Sequence, residues 1–414
     1  MNAKLAIHNG TPVRGKDDPL PRLFPREIAP EALENIKQVL DSGFTLDKTS
    51  EFQKAFAEAC RTKHAVAVTN CTAAVHAAIA CCDLEPGDEV IVSPISDYGS
   101  VAGVLWQNAL PVFPDVDIRT GNVTAEEIEK NITPRTKAVV VVHFYGLMCD
   151  MEPIIDVVKA HNLILIEDAC QTPLAEYKGR KAGSMGDMGC FSFDAEKHLS
   201  TDHGGMIITN DDDLAAKLAK FAIARGAIPK ERYGRIHETL GLNYRYGNVL
   251  AAIGLAQLKR LPEQNKRRTE MAQLLTEKIK DMDGIFPPYV IPGSVPVYWL
   301  YFVRFELEKF KASIWELGNA LAAEGIPDIS PAPYYLIPES HTFLVDRTRV
   351  YGNSHCPFEC PRADLKLQYS AALCPNAHKH LATTLRWTWT DKFTERDVSD
   401  IATAIRKVAE YYRR

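Results

Sequence analysis

The stretch "LILIEDACQ", residues 163–171, sets four apolar residues, Leu163 to Ile166, ahead of two acids, Glu167 and Asp168. A run this short and this apolar fits a strand covered on both faces, as in a parallel sheet flanked by helices. On either side, from residue 64 to about 210, β-rich runs alternate with helical ones: "HAVAVT", "AAVHAAIACC", "EVIVSP", "VAGVLWQNA", "PVFPDVD", "AVVVVHFYG", "IIDVVKAHN", "GCFSF", "MIITND". The alternation predicts an α/β domain on a large, mostly parallel sheet.

The flanks read differently. After a polar N-terminal arm, "PEALENIKQVLDSG" places Leu33, Ile36 and Leu40 on one face of a helix that stops at Gly43. "NVLAAIGLAQLKRL", from Asn248, is apolar on most sides and is expected to be buried, between subunits. From about 265 a charged helix leads into "PVYWLYFVRFEL" and further helix and loop. The last helix, after Thr394, lines up Val398, Ile401, Ile405, Val408 and Tyr412. Two units are expected: residues 1–264, an arm and the large domain, and residues 265–414, a smaller α+β domain.

Composition narrows the functional classes. The 414 residues are 46% hydrophobic with a net charge of −5, which gives no global reason to bind nucleic acid or an anionic membrane. No apolar run approaches the roughly 20 residues of a membrane span, and the N-terminus lacks a signal peptide's apolar centre. A soluble cytoplasmic protein is expected. The ten cysteines, mostly in apolar stretches, read as buried thiols. "HCPFEC", with His355, Cys356 and Cys360, is half a metal site without a second pair at zinc spacing, so no metal is expected.

No G-x-x-x-x-G-K-[ST] occurs, and "GRKAGSMG" does not fit G-x-G-x-x-G, which argues against nucleotide triphosphatases and NAD enzymes. In "TNCTAAVHAAIA", a polar turn runs straight into a helix, so the amides of Thr72 and Ala73 face either a cap or a phosphate. Asp168 ends its strand, at the sheet edge where open α/β folds bind ligands, or it serves as a cap or an ion pair. Gln171 is close enough to share that edge. In "FSFDAEKHLST", residues 191–201, Lys197 follows a short strand. A lysine amine can form a Schiff base with the aldehyde of pyridoxal phosphate (PLP). A carboxylate on the pyridine nitrogen keeps the ring an electron sink, and a helix N-terminus holds the phosphate.

In this order, "DSGFTLDKTSEFQKAFAEACRTKHAVAVTNCTAAVHAAI", "GDEVIVSP", "VVHFYGLMCDME", "LILIEDACQ", "GDMGCFSF" and "GLNYRYGNVLAAIGLAQL" resemble blocks of the DegT/DnrJ/StrS sugar aminotransferases. These are PLP enzymes of the fold-type I, aspartate aminotransferase-like class. The resemblance implies that Lys197 is the Schiff-base lysine and Asp168 the partner of the pyridine nitrogen. It puts Gln171 near the ring hydroxyl, and Cys71, Thr72, Ala73 and Ser192 at the phosphate. Asn243 matches an asparagine that reaches the neighbouring subunit's cofactor, which implies an obligate homodimer. Three positions depart from the family pattern: Cys71 for glycine, Asp97 for a stacking aromatic, with the adjacent Tyr98 the candidate to stack on the cofactor by a shift, and His203 for an acid. Asp97, His203, His143 and Arg245 are candidate substrate contacts.

A subgroup of the family replaces the lysine by histidine and dehydrates sugars. His198 adjoins Lys197, but the family lysine falls four residues after the second phenylalanine of "FSF", where Lys197 stands. The expectation is a ping-pong aminotransferase moving an amino group from glutamate or glutamine to a keto-sugar, often nucleotide-linked, or a keto-cyclitol. A dehydratase and a non-catalytic PLP-binding regulator are the alternatives. Arg225, Lys230, Arg232 and Arg235 could meet a phosphate or form a solvated loop, and "LRWTWTDKF" departs from the family's usual ending.

Overall fold

The computed structural model describes residues 4–223, 234–331, 334–348, 350–360, 363 and 367–414. Seven strands form the main sheet, in the order His64–Val68, Gly205–Thr209, Met188–Ser192, Ile164–Asp168, Thr136–Val142, Glu89–Val92, Leu110–Val112. Only Gly205–Thr209 runs against the others. The "AVVVV" segment, residues 138–142, is at most 1% exposed, so the sheet is covered on both faces as the apolar runs predict. Because the strands are parallel, His64–Val68, Ile164–Asp168 and Met188–Ser192 all deliver their carboxyl ends to one edge.

A second sheet is wholly antiparallel: Ile285–Phe286, Leu300–Phe305, Thr384–Thr388, Ser330–Pro331. The last helix, Glu395–Tyr412, packs against the helices Asn248–Ile279 and Ile314–Ala323 and is opened by a capping box on Thr394 and Asp397. Its stripe of Val398, Ile401, Ile405 and Val408 is at most 1% exposed, as its spacing predicts.

Three features differ from the sequence reading. The apolar segment from Asn248 and the charged one after it are a single helix, Asn248–Ile279, so the division expected between 264 and 265 falls inside it, just past Pro262. The arm docks on C-terminal elements: Glu324 accepts from Ala6 N and Val13 N, and buried Arg14 pairs with Asp397 and Asp400. The helix Glu31–Asp41 turns Ala32 and Val39 inward and leaves Leu33 and Leu40 exposed, at 76% and 54%. Asn35 donates to Ala252 O, and Ala29 N donates to Gln257, fixing the smaller apolar face against the long helix.

Candidate active site

The carboxyl edge of the main sheet opens into a cavity of about 1240 Å³, whose far wall is the second sheet. Asp168 stands at its base, 2% exposed. Its Oδ2 accepts from Ser100 Oγ at 2.6 Å, and its Oδ1 from Cys170 N at 3.2 Å and the Cys71 thiol at 3.9 Å. Hydrogen bonds to both oxygens fix the carboxylate's orientation before any ligand arrives. Side chains alternate along a strand, so Glu167 faces the opposite side. There it accepts from the amides of Gly183, Met185 and Gly186 and from His143 Nε2.

Lys197 lies in a tight turn. Its amide donates to Asp194 O, Glu196 N donates to Asp194 Oδ1, and Arg26 of the arm clamps Ala195 O and His198 O at 2.9 and 2.8 Å. The side chain is 8% exposed and points into the cavity, with Nζ 3.7 Å from the centre of the Trp299 ring. No carboxylate among the described residues pairs with it. A cation over an indole face is stabilised without being tied up in an ion pair.

The helix Cys71–Ala80 begins where strand His64–Val68 ends. Gly205 lets the turn approach the next strand: a Cβ there would stand 2.5 Å from Asn70 O. Gly99 does the same for Thr72, whose Oγ1 would meet a Cβ at 2.5 Å. Ser192 ends its own strand on the same edge and lines the cavity. A lysine, a carboxylate, a hydroxyl and a helix N-terminus thus converge on one space.

The chain matches the DegT/DnrJ/EryC1/StrS aminotransferase family over residues 26–406. It belongs to that family. A GDP-perosamine synthase of Caulobacter vibrioides is 44% identical over 70% of this chain and 78% of its own length. An L-glutamine:2-deoxy-scyllo-inosose aminotransferase of Streptoalloteichus tenebrarius is 35% identical over 80% of this chain and 81% of its own. Among solved structures, an aminotransferase from Psychrobacter cryohalolentis superposes with a TM-score of 0.82 at 28% identity, covering 95% of this chain and all of that one. The fold is that of the fold-type I aminotransferases, and the chain is an aminotransferase.

Within this family member, several expected residues stand elsewhere. Ala73 N is not free for a phosphate, because Asn70 Oδ1 caps it at 2.8 Å; the amides of Cys71 and Thr72 have no protein acceptor among the described residues. His143 is fully buried behind the sheet, between Glu167 and Cys149 N, and does not reach the cavity. Gln171 is also fully buried: its Oε1 accepts from Tyr145 N at 2.6 Å, and it reaches towards the cavity through Tyr334. Tyr98 and Asp97 line the cavity, but the Tyr98 ring stacks on His341 with centroids 5.9 Å apart. His203 lines it too. Asn243 and Arg245 bond to each other outside it. Arg225, Lys230 and Arg232 lie outside the described residues.

His198 points away from Lys197. It is 3% exposed, its Nε2 donates to Val297 O at 3.0 Å, and burial pushes its pKa well below the usual histidine range. The Cys71 thiol is pushed well up, by its hydrogen bond with Cys170, by burial and by the Asp168 charge.

The second sheet supplies residues that the sequence reading missed. Arg386 lines the cavity, its Nε is buried without a partner, and it forms no ion pair among the described residues. Period-two alternation was the available signal: Leu385, Trp387 and Trp389 are fully buried, which sends Arg386 and Thr388 to the cavity side. Trp299, Tyr334 and Arg26 come from segments with no recognisable motif, and Ser100 from the stretch of Asp97 and Tyr98, which was read only for a stacking ring.

Proposed function

We propose that this chain is a PLP-dependent aminotransferase that takes its amino group from glutamate or glutamine. Its acceptor is a nucleotide-linked keto-sugar or a keto-cyclitol, in amino-sugar or natural-product biosynthesis. The single observation that carries this is Lys197 Nζ in one cavity with Asp168, with no acid among the described residues paired to it. The named relatives, a GDP-sugar synthase and a cyclitol aminotransferase, support the acceptor class.

The residues present suit the cofactor. The amides of Cys71 and Thr72, which have no acceptor among the described residues, would hold a phosphate at the helix N-terminus with the hydroxyls of Thr72 and Ser192. Asp168, oriented by Ser100, would hold a protonated pyridine nitrogen. When bound, the cofactor supplies an electron sink for the carbon that carries the migrating nitrogen. Lys197 Nζ anchors it at rest, then acts as the base that takes the proton from the donor's Cα and as the acid that returns one. The Trp299 face steadies the ammonium that forms once Lys197 has taken the proton. Arg386, a cation facing the same space, suits an anionic group of the substrate.

Ten free cysteines fit a reducing cytoplasm. We further propose a homodimer with shared sites. Exposed Leu33, Leu40, Phe44 and Leu240 need cover, and Asn243, held by Arg245, lies outside its own cavity, where it suits a neighbouring subunit's site. Asn243→Ala should then weaken PLP binding without altering the lysine chemistry; unchanged affinity would break the cross-subunit contact.

The activity test supplies PLP-loaded protein with glutamate or glutamine and, in turn, a GDP-linked keto-sugar and a keto-inositol. Stoichiometric oxoacid and amino product are expected. Water loss without consumption of donor would replace the reading by a dehydratase, and cofactor binding without turnover of any acceptor by a regulator.

A further inference from the structure

Two side chains of the cavity have no part in the amino transfer: the thiols of Cys71 and Cys170. One opens a helix and the other follows the strand Ile164–Asp168, yet the two meet beside Asp168. Cys71 Sγ lies 3.9 Å from Asp168 Oδ1, and both sulfurs and a carboxylate oxygen lie within 4.8 Å of one another. Donors around a tetrahedral zinc, with bonds of about 2.0–2.3 Å, stand roughly 3.3–3.8 Å apart. The trio is therefore close to a ligand set already. Ser100 holds Asp168 Oδ2 and leaves Oδ1 turned to the thiols, as an outer-shell partner does for a ligating carboxylate. Among the described residues no other three histidine, cysteine or acidic side chains come this close.

We propose that, in the cofactor-free chain, Cys71, Cys170 and Asp168 bind a thiophilic divalent cation such as Zn²⁺ or Cd²⁺, and that this cation and the cofactor exclude each other. Each thiol gives up its proton to solvent as it ligates, and the cavity side leaves a fourth position for water. Exclusion follows because both ligands claim the Asp168 carboxylate, so that half rests on the reading of the pocket given above. Metal binding itself does not.

The test uses the full chain carrying Cys356→Ser and Cys360→Ser, so that this half-exposed pair adds no signal. Freed of cofactor, it is titrated with Cd²⁺ while the ultraviolet cadmium–thiolate absorbance is followed. One ion per chain should bind, and Cys71→Ser or Cys170→Ala should each weaken binding at least about tenfold. Saturating PLP should remove the band, and prebound Cd²⁺ should slow the return of the cofactor's visible absorbance. A band unchanged by both substitutions would overturn the site, and a band that persists in the PLP-loaded chain would overturn the exclusion. Should one variant melt early, the other decides. Should PLP fail to bind at all, the exclusion falls with the pocket reading, while the cadmium titration still decides the site.

Discussion

The two walls of the cavity are built by different rules. On the main-sheet side, the reactive groups sit where parallel strands end: Asp168, Ser192 and the turn at Asn70 are neighbours because their strands run the same way. On the other side, Arg386 projects from an antiparallel strand, and Trp299 and Tyr334 from segments flanking the strands of that sheet. The first wall carries the groups proposed for the chemistry, and the second those proposed to face the substrate being aminated.

Substitutions on the two walls should have different signatures. Lys197→Ala, on the first wall, should lower turnover by about 10⁴-fold or more and remove the visible absorbance of the loaded enzyme, since base and anchor go together. Turnover near the native rate would end the reading. Asp168→Asn should cost about 10³-fold in kcat with the lysine linkage still visible, because it removes charge and keeps shape. Arg386→Ala, on the second wall, should raise KM for the anionic substrate about 10- to 100-fold and leave the absorbance untouched. A loss of kcat with KM unchanged would move Arg386 to the first wall's side of the comparison.

The smallest effect concerns a side chain behind both walls. Burial lowers the pKa of His198 well below its usual range and those of His76 and His380 to about 4. These histidines take up a proton only on unfolding, so their contribution is complete above about pH 6.5 and is lost as pH falls below it. Each should cost about 1.4 kcal/mol per pH unit until its folded pKa is reached. Urea denaturation of His198→Asn between about pH 5 and 6.5 should show a slope shallower by one histidine's share. An unchanged slope would mean that His198 is charged in the fold.

The first wall was legible because its residues follow apolar strands at short spacing, and the helix start after "AVAVTN" announces itself. What misled was the choice between adjacent faces. In the helix Glu31–Asp41 the larger residues Leu33 and Leu40 marked one face, but the smaller Ala32 and Val39 allow close approach to the long helix. Hydrophobicity does not distinguish a face that meets its own chain from one left for another. In "VVHFYG", likewise, histidine is a common active-site residue, and only the pairing with Glu167 on the rear of the sheet reveals that His143 is structural. The second wall was hidden because Trp299, Tyr334 and Arg386 meet only after folding.

The helix Asn248–Ile279 gives the two walls a common shaft. At 1.5 Å per residue its 32 residues run about 48 Å, from the large sheet to the small one. Each residue added or removed in its middle would turn everything beyond by about 100°. The shaft therefore keeps time between the walls: an indel there would swing Arg386 and Trp299 away from Lys197 and take the cavity apart.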